Sequence, residues 1–219
     1  MKKLLIALVV VGLVASPVFA GLDDGVQSAL HGDYENAFKE WKPLAEKGNA
    51  SAQYFLGVLY ALGRGEGKRN YEEAVKEAVK WYRLAAEQGH VNAQFALGSV
   101  YSSGDNGVPR DYKEMVKWFR PAANQGYPLG QLGLGGAYAN GLGVKKTPTV
   151  AYALLNLSEF SFSKSNAPPK HRNSIQEEIS DVAKEMSASE IKAAEALMQE
   201  MSKPGNLLKA LDAYLKKHQ

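Results

Sequence analysis

The chain has 219 residues, of which 45% are hydrophobic, with 26 Lys and Arg against 23 Asp and Glu and no cysteine. This composition excludes a disulfide framework and a lipid-modified cysteine, and the near-neutral charge gives no support for binding to nucleic acid or to an anionic membrane. A chain of this length and apolar content can bury a hydrophobic core without disulfides or a structural metal.

The first twenty residues have the pattern of a secretory signal peptide. Lys2 and Lys3 precede an eleven-residue apolar run from Leu4 to Val14, and the segment ends in Val-Phe-Ala, which suits signal peptidase. A transmembrane helix needs about 20 apolar residues, so an uncleaved membrane anchor is the weaker alternative. We expect cleavage after Ala20, no membrane anchor in the mature chain, and a location in the periplasm or outside the cell.

An internal repeat without gaps occupies the middle of the chain. The strings SAQYFLGVLYALG (51–63), NAQFALGSVYSSG (92–104) and LGQLGLGGAYANG (129–141) align, and they predict helices over roughly 50–61, 91–102 and 128–139. Each string follows an amphipathic segment that opens with Asp-Tyr or Asn-Tyr and ends at a glycine. Each repeat therefore predicts a pair of helices.

The residues at the ends and in the middle of these helices support the same assignment. The first helices are expected to begin after the N-cap residues Asp33, Asn70 and Asp111. They are expected to end at left-handed glycines, namely Gly48, Gly89 and Gly126. Glycines within the second helices predict close approach of a neighbouring helix at Gly57, Gly98 and Gly135. Recurrent glutamines are expected to satisfy backbone groups between repeats, at Gln53, Gln94 and Gln131.

The second repeat carries the string WYRLAAEQGHVNAQFALGSVY (81–101), which resembles the Sel-1-like repeat family, relatives of the tetratricopeptide repeats. The resemblance covers three repeats at about 33–69, 70–110 and 111–146 and a degenerate fourth at 147–158, within a repeat region of 21–158. It implies an all-α fold, a right-handed α-solenoid of helix-turn-helix repeats, and an adaptor role in the bacterial envelope. The third repeat departs most from the pattern, because Met115 replaces the expected Ala and Gly130 stands where the others have Ala.

The first helix of the second repeat contains the tetrapeptide Glu-Ala-Val-Lys twice, at 73–76 and 77–80. The distance from the opening Tyr to the closing Gly is 14 residues in the first and third repeats but 18 in the second. This difference predicts one extra helical turn that projects past its neighbours, with Glu72 and Lys76 paired on its surface. The alternative is gene slippage that the fold tolerates at an edge.

Residues 159–219 are predicted to form a C-terminal helical cap, because a terminal repeat must cover the open apolar face of the stack. We expect one helix over about 171–186 and a second that starts with the capping box of Ser187 and Glu190 and runs to about Met201. The last helix is expected over Leu207 to Lys217, with a leucine face directed to the last repeat.

Motifs for catalysis are weak. GRGEGKRN (63–70) lacks the glycine spacing and the Ser or Thr of a phosphate-binding loop. Ser161 and Lys164 match the Ser-x-x-Lys of penicillin-recognising enzymes, which cysteine-rich relatives of the family make relevant, but no Ser-Asp-Asn or Lys-Thr-Gly follows. The four histidines are scattered, so no metal or cofactor is expected.

Six cations recur in register when the first helices are aligned on their closing glycines. The outer lysine column consists of Lys39, Lys80 and Lys117. The inner cation column, three residues further along, consists of Lys42, Arg83 and Arg120. Trp81 and Trp118 adjoin these columns. We predict that the cations and both tryptophans form a partner-binding band on the concave side, and that they bind an acidic protein. The alternative is solvated charged groups whose stems pack over aromatic rings.

These observations predict an exported scaffold or adaptor that binds another protein and has no catalytic residues. A penicillin-recognising, β-lactamase-like or other envelope hydrolase is the alternative from a different class, and a chaperone-like protein without a fixed partner is a third.

Overall fold

The computed structural model describes residues 22–65, 70–104, 107–164 and 169–218, so the predicted signal peptide lies outside the described residues. These ranges contain eleven helices and no strand. The helices are α1 (Asp23–Leu30), α2 (Tyr34–Glu46), α3 (Ala50–Ala61), α4 (Tyr71–Glu87), α5 (Val91–Ser103), α6 (Tyr112–Asn124), α7 (Pro128–Asn140), α8 (Pro148–Ser163), α9 (Pro169–Lys184), α10 (Ala188–Met201) and α11 (Leu207–Lys217). The described residues divide into two compact units, of which unit 1 comprises those up to Ala93 with Gly107 and Val108, and unit 2 the others.

The predicted helix ends are confirmed. The side chains of Asp33, Asn70 and Asp111 accept backbone N–H groups of the first turns of α2, α4 and α6. The closing glycines have φ angles of 91°, 87° and 78°, a region that residues with a Cβ enter only at a cost. The second helices begin at the predicted residues and end within one residue of the predicted ends. Local chemistry at the ends therefore defines these helices.

In unit 1, each of the helices α1 to α4 packs against the next one in the chain. Its core contains Trp41 stacked on Phe55, with ring centroids 4.6 Å apart. The Trp41 indole N–H donates to the carbonyl of Leu22 at 3.3 Å, and its ring lies where a side chain on Gly25 would be. Helix α1, which the sequence did not predict, thus packs over the first helix of the first repeat.

Unit 2 is centred on α8, where Val150, Leu154 and Leu155 are fully buried. Helices α9 and α10 pack on α8, and α11 packs on α10 and on α6. The predicted cap helices and the capping box are confirmed. The predicted boundary between the repeat region and the C-terminal cap, at residue 158, falls inside α8, which continues to Ser163.

The recurrent glutamines are buried and join successive repeats through their side chains. The Gln88 amide donates to Gln53 Oε1 at 2.7 Å, and the Gln125 amide donates to Gln94 Oε1 at 2.8 Å. Gln53 also donates to the carbonyl of Ala45 at 3.1 Å, so the predicted backbone contact accompanies a side-chain contact.

The duplicated tetrapeptide forms one extra helical turn. Helix α4 has 17 residues, whereas α2 and α6 each have 13. Glu72 and Lys76 form the predicted surface ion pair at 2.6 Å. The turn does not simply project, because Gly107 lies against the Glu72 side chain and the adjacent Val108 is buried. The loop after α5 therefore covers one side of the extra turn.

Deletion of Glu77–Lys80 should leave a folded protein, because the remaining copy restores the apolar stripe and the length of α2 and α6. The segment before the deletion shifts by about 6 Å and rotates by about 40°, so the contact of Glu72 with Gly107 is lost and the melting temperature should fall modestly. Circular dichroism during heating measures both. Deletion of Glu114–Lys117 from α6, which has no second copy, is the control and should unfold the chain. Loss of cooperative unfolding in the first deletion would show that the extra turn is essential.

Replacement of Leu211 by Ala tests the cap. Leu211 is fully buried, and a buried Leu→Ala change costs about 2–5 kcal/mol. Denaturant unfolding should show this loss, whereas Lys216→Ala, at an exposed position of the same helix, should change stability by less than about 0.5 kcal/mol. Equal effects of the two changes would mean that α11 is not part of the stable core.

Candidate partner-binding site

An open cleft of about 730 Å³ runs along the exposed face of α2 in unit 1. We call it the α2 cleft. Its lining consists of Gly32, Asp33, Tyr34, Glu35, Phe38, Lys39, Lys42, Pro43, Glu46, Arg64 and Gly65. The α1–α2 connection, α2 itself and the residues after α3 supply these groups, so the cleft belongs to the first repeat.

Aromatic rings on α2 carry the cationic groups of the cleft. Tyr34, Phe38 and Lys42 follow one another at intervals of four residues and share one face of the helix. Lys42 Nζ lies 5.8 Å from the centroid of the Phe38 ring, and the Arg64 guanidinium lies 5.4 Å from that of Tyr34. Phe38 is fixed from behind by Tyr60 at an edge-on distance of 5.8 Å. Phe38 is 9% exposed and belongs to the core beneath the cleft, whereas Tyr34 is half-buried at its surface. Lys42 and Arg64 are held over these rings by cation–π contacts.

The rim of the cleft balances three cations against three carboxylates. Lys39, Lys42 and Arg64 face Asp33, Glu35 and Glu46. The hydrogen bond from Lys39 Nζ to Glu35 at 2.8 Å raises the pKa of Lys39. This pair is exposed, with side-chain exposures of 63% and 81%, and exposed ion pairs contribute little to stability because solvent screens them. A partner can therefore replace either member at little cost.

The outer lysine column is present, but a carboxylate accompanies each lysine. Lys80 pairs with Glu77 at 2.6 Å, and Lys117 pairs with Glu114 at 2.8 Å. Acidic residues three or four positions earlier in each first helix therefore compensate the outer lysines, and the partner-binding band of cations stays a prediction.

The inner cation column is less exposed. Lys42 and Arg83 are half-buried. Arg120, in unit 2, pairs with Asp212 of α11 and is 25% exposed. The stem of Lys42 packs over an aromatic ring as the alternative prediction stated. Arg120 is occupied by the chain's own last helix, so we leave it out of the open surface.

Trp81 and Trp118 differ in their exposure to solvent. Trp118 is 7% exposed, and its indole N–H donates to Glu114 at 3.2 Å. Its predicted part in partner binding is withdrawn, because the ring belongs to the core of unit 2. Trp81 is half-buried on α4.

The prediction missed three residues of the cleft, Tyr34, Phe38 and Arg64. The spacing of Tyr34, Phe38 and Lys42 was a readable signal of one helix face. Arg64 had no such signal, because it lies in a connection whose path depends on the packing of α3.

Comparison with known proteins assigns the repeats. The Sel1 repeat model matches residues 50–90, 91–127 and 128–158. The chain is 30% identical to a solved Sel1 repeat protein from Oxalobacter formigenes, with a TM-score of 0.52, and the match covers 65% of this chain and 96% of that one. The chain belongs to the Sel1 repeat family.

A second solved structure supports the fold of this Sel1 repeat chain. It is c5321, a protective antigen present in uropathogenic Escherichia coli strains and displaying an SLR fold, with 28% identity and a TM-score of 0.67. The match covers 98% of this chain and 47% of that one, so this chain spans about half the length of c5321. No curated protein matched. The predicted all-α solenoid class is confirmed.

Ser161 and Lys164, the match to the Ser-x-x-Lys motif, both lie in the part of the chain that the structure describes. The Ser161 hydroxyl lies within hydrogen-bond distance of the carbonyl of Leu157 and of Gln131 Oε1, and Lys164 lies over the ring of Phe160. The pair therefore does not have the geometry of a serine nucleophile next to a lysine base. Residues 66–69 of the glycine-rich string lie outside the described residues.

Among the described residues, no group of three or more His, Asp or Glu side chains is placed to hold a metal ion. No helix among them is both long enough and apolar enough to cross a membrane.

His90 has a structural position. Its ring stacks on Tyr54 with centroids 4.7 Å apart, and its Nδ1 accepts the backbone N–H of Ala93 at 3.3 Å. Burial lowers the pKa of His90 from 6.5 to about 4. The neutral ring thus acts as the N-cap of α5, in the place that Asn49 occupies before α3.

Acid should destabilise the protein through His90. The unfolded chain binds a proton near pH 6.5 and the folded chain only near pH 4, so the free energy of unfolding should fall as pH falls through this window, by up to about 3 kcal/mol. Replacement by Asn keeps the cap, as at Asn49, but removes the titration. Denaturant unfolding at pH 7 and pH 5 should show a smaller pH effect in His90→Asn than in the original chain. Equal pH effects would place the titrating group elsewhere.

Proposed function

We propose that this chain is a protein–protein interaction scaffold of the bacterial envelope and that the α2 cleft is its principal binding site. The observation that carries the proposal is an open cleft of about 730 Å³ on a first helix, with an aromatic floor and an ionic rim. In this proposal the chain acts in the periplasm or outside the cell after removal of residues 1–20.

The chemistry of the cleft suits a protein partner. Tyr, Trp and Arg are enriched among the residues that contribute most of the binding energy at protein interfaces. The aromatic rings bury a large area with few rotatable bonds, and the planar guanidinium donates several hydrogen bonds in a fixed geometry. Tyr34 and Arg64 provide such groups side by side, with the guanidinium 5.4 Å from the centroid of the tyrosine ring. Small-molecule sites, in contrast, enclose most of the ligand surface, whereas this cleft is open along α2.

The charges of the rim indicate which side chains the partner supplies. Lys39 and Lys42 are one turn apart and can donate to a carboxylate, so the partner supplies at least one acidic side chain next to apolar ones. Because carboxylates also line the rim, the attraction acts at short range. The specificity then depends on the register of charges more than on net charge.

The double variant Lys39→Glu and Lys42→Glu should reduce capture of the partner at least tenfold. Two reversed charges repel the partner's carboxylate, and burial of a charge without its counter-ion is costly. The measurement is crosslinking in intact cells from a photoreactive residue placed at Pro43, followed by quantification of the captured protein.

The control is Lys184→Glu on α9, which reverses an equally exposed lysine paired with Asp181. It should leave capture unchanged, and all variants should keep the helical signal and melt within a few degrees of the original chain. Undiminished capture by the folded double variant would refute the α2 cleft as the binding site.

A further inference from the structure

We infer that unit 2 carries a second docking surface, a groove between α5 and α7, and that it binds a partner's amphipathic helix whose basic side chain pairs with Glu178. The groove has a volume of about 440 Å³, and α5, α6, α7 and Leu142 supply its lining. We call it the α5–α7 groove. It shares no residue with the α2 cleft, so the inference goes beyond the proposed function.

One face of α7 forms a wall of the groove. Five residues at positions i, i+3, i+4, i+7 and i+11 share this helix face. They are Leu129, Leu132, Gly133, Gly136 and Asn140, and all of them line the groove. This face is therefore apolar at the start of α7, low in the middle, where glycines have no side chain, and polar at the end.

The opposite wall presents an aromatic ring. Phe95 of α5 is half-buried, and it stacks on Phe119 with ring centroids 5.7 Å apart. Tyr127 holds it from the edge at 5.5 Å. Phe119 is buried and forms the floor, whereas Leu129 and Leu132 are half-buried like Phe95. The open apolar surface of the groove thus consists of one ring and two leucines.

The packing of the chain does not require a glycine at position 136. A Cβ on Gly136 would meet a single described atom within 4 Å, Glu178 Oε1 at 3.2 Å, which is the end of a flexible side chain. A Cβ on Gly133, in contrast, would lie 2.6 Å from the ring of Phe119. Glycine inside a helix is less stable than alanine. Gly136 therefore reduces stability, and it lets another helix approach α7 closely.

Glu178 of α9 gives the groove an acidic end. Its Oε1 lies beside Gly136, and its side chain lines a smaller cleft of about 200 Å³. Asn140 lines both this cleft and the α5–α7 groove. The carboxylate of Glu178 is therefore within reach of a side chain that enters from the groove.

The neighbouring carboxylates have counter-ions, but Glu178 has none. Asp181 pairs with Lys184 at 2.7 Å, and Glu185 pairs with Lys146 at 2.7 Å. Among the described residues, Glu178 has no hydrogen-bond or ion-pair partner, and burial raises its pKa. The lining of the groove contains no Lys or Arg. A partner's Lys or Arg would supply the missing counter-ion and offset the cost of burying this carboxylate.

The walls of the groove favour a helix as the occupant. The Ser99 hydroxyl donates to the carbonyl of Phe95 at 3.0 Å. The Asn140 amide donates to the carbonyl of Gly136 at 3.0 Å. These groups are satisfied within their own helices, so an extended segment would bury backbone N–H and C=O groups that find few partners. A helix satisfies its own backbone and offers its side chains to the groove.

The partner motif follows from distances along α7. Gly136, beside Glu178, lies four residues from Leu132 and seven from Leu129, which correspond to about 6 and 10 Å. The partner helix therefore presents two apolar residues one turn apart and a Lys or Arg one or two turns beyond them on the same face.

A phage-displayed library of helical peptides, selected on the full chain, tests this motif. Peptides are kept when they bind the original chain but not Gly136→Leu, in which the added side chain fills the middle of the groove. The kept peptides should carry the predicted basic residue at least tenfold more often than the unselected library. Circular dichroism should show that Gly136→Leu is folded; if it is not, Ser99→Phe on the opposite wall replaces it.

Charge exchange identifies the contact. A synthetic copy of a kept peptide, measured by fluorescence anisotropy, should bind Glu178→Lys at least tenfold more weakly than the original chain. The same peptide with its basic residue replaced by Glu should bind Glu178→Lys at least tenfold better than the original chain. Glu177→Lys makes the same change at an exposed position about 100° around α9, and it should leave binding unchanged. The double variant Lys39→Glu and Lys42→Glu should also leave it unchanged, which separates this groove from the α2 cleft.

Four results would overturn the inference. One is a selection in which no peptide distinguishes the original chain from the folded groove variant. A second is a set of kept peptides without an excess of basic residues. A third is peptide binding that Glu178→Lys and Glu177→Lys alter equally. The fourth is kept peptides with proline inside the binding segment, which would indicate an extended partner.

Discussion

The fold depends on the seating of each second helix against the first helix of the next repeat. A Cβ on Gly57 would lie 2.5 Å from the ring of Tyr82, and one on Gly98 would lie 2.3 Å from the ring of Phe119. Such distances are shorter than any stable contact, so only glycine admits these rings. The hydrogen bonds between Gln53 and Gln88 and between Gln94 and Gln125 add a second constraint. Shape and hydrogen bonds together therefore fix the register between a second helix and the next first helix.

Repeats that stack in this way must be covered where the stack stops. The first repeat is covered by α1, which Trp41 holds through the carbonyl of Leu22. The last helices cover unit 2, where Leu207 and Leu211 are buried. The two end helices differ in what they cover. Helix α11 also packs on α6, whereas α1 leaves the face of α2 that carries Tyr34 open as a cleft. The candidate site therefore arises where an end helix does not reach.

The sequence predicted the parts of this architecture that depend on near neighbours. Caps, closing glycines, the extra turn and the bounds of α11 all follow from residues a few positions apart. Helix α1 was missed, because eight residues are too few to form a stable helix alone and its anchor is the distant Trp41. Trp118 was predicted to be exposed because it follows the exposed Lys117, but it is buried. Residues adjacent in sequence point about 100° apart on a helix, so the neighbour of an exposed lysine is often buried. The pairing of Arg120 with Asp212 joins residues 92 positions apart, which no local pattern reveals.

The comparison of α2 with α6 shows how chain connectivity makes use of one position of the repeat. Both helices carry the outer lysine with a carboxylate beside it, and both carry an inner cation over the same face. Arg120 can hold Asp212 permanently, because α11 is tethered to the same chain and its leucines bury apolar surface at the same time. This cation position of the repeat thus stabilises the fold at α6, because chain connectivity brings Asp212 to Arg120.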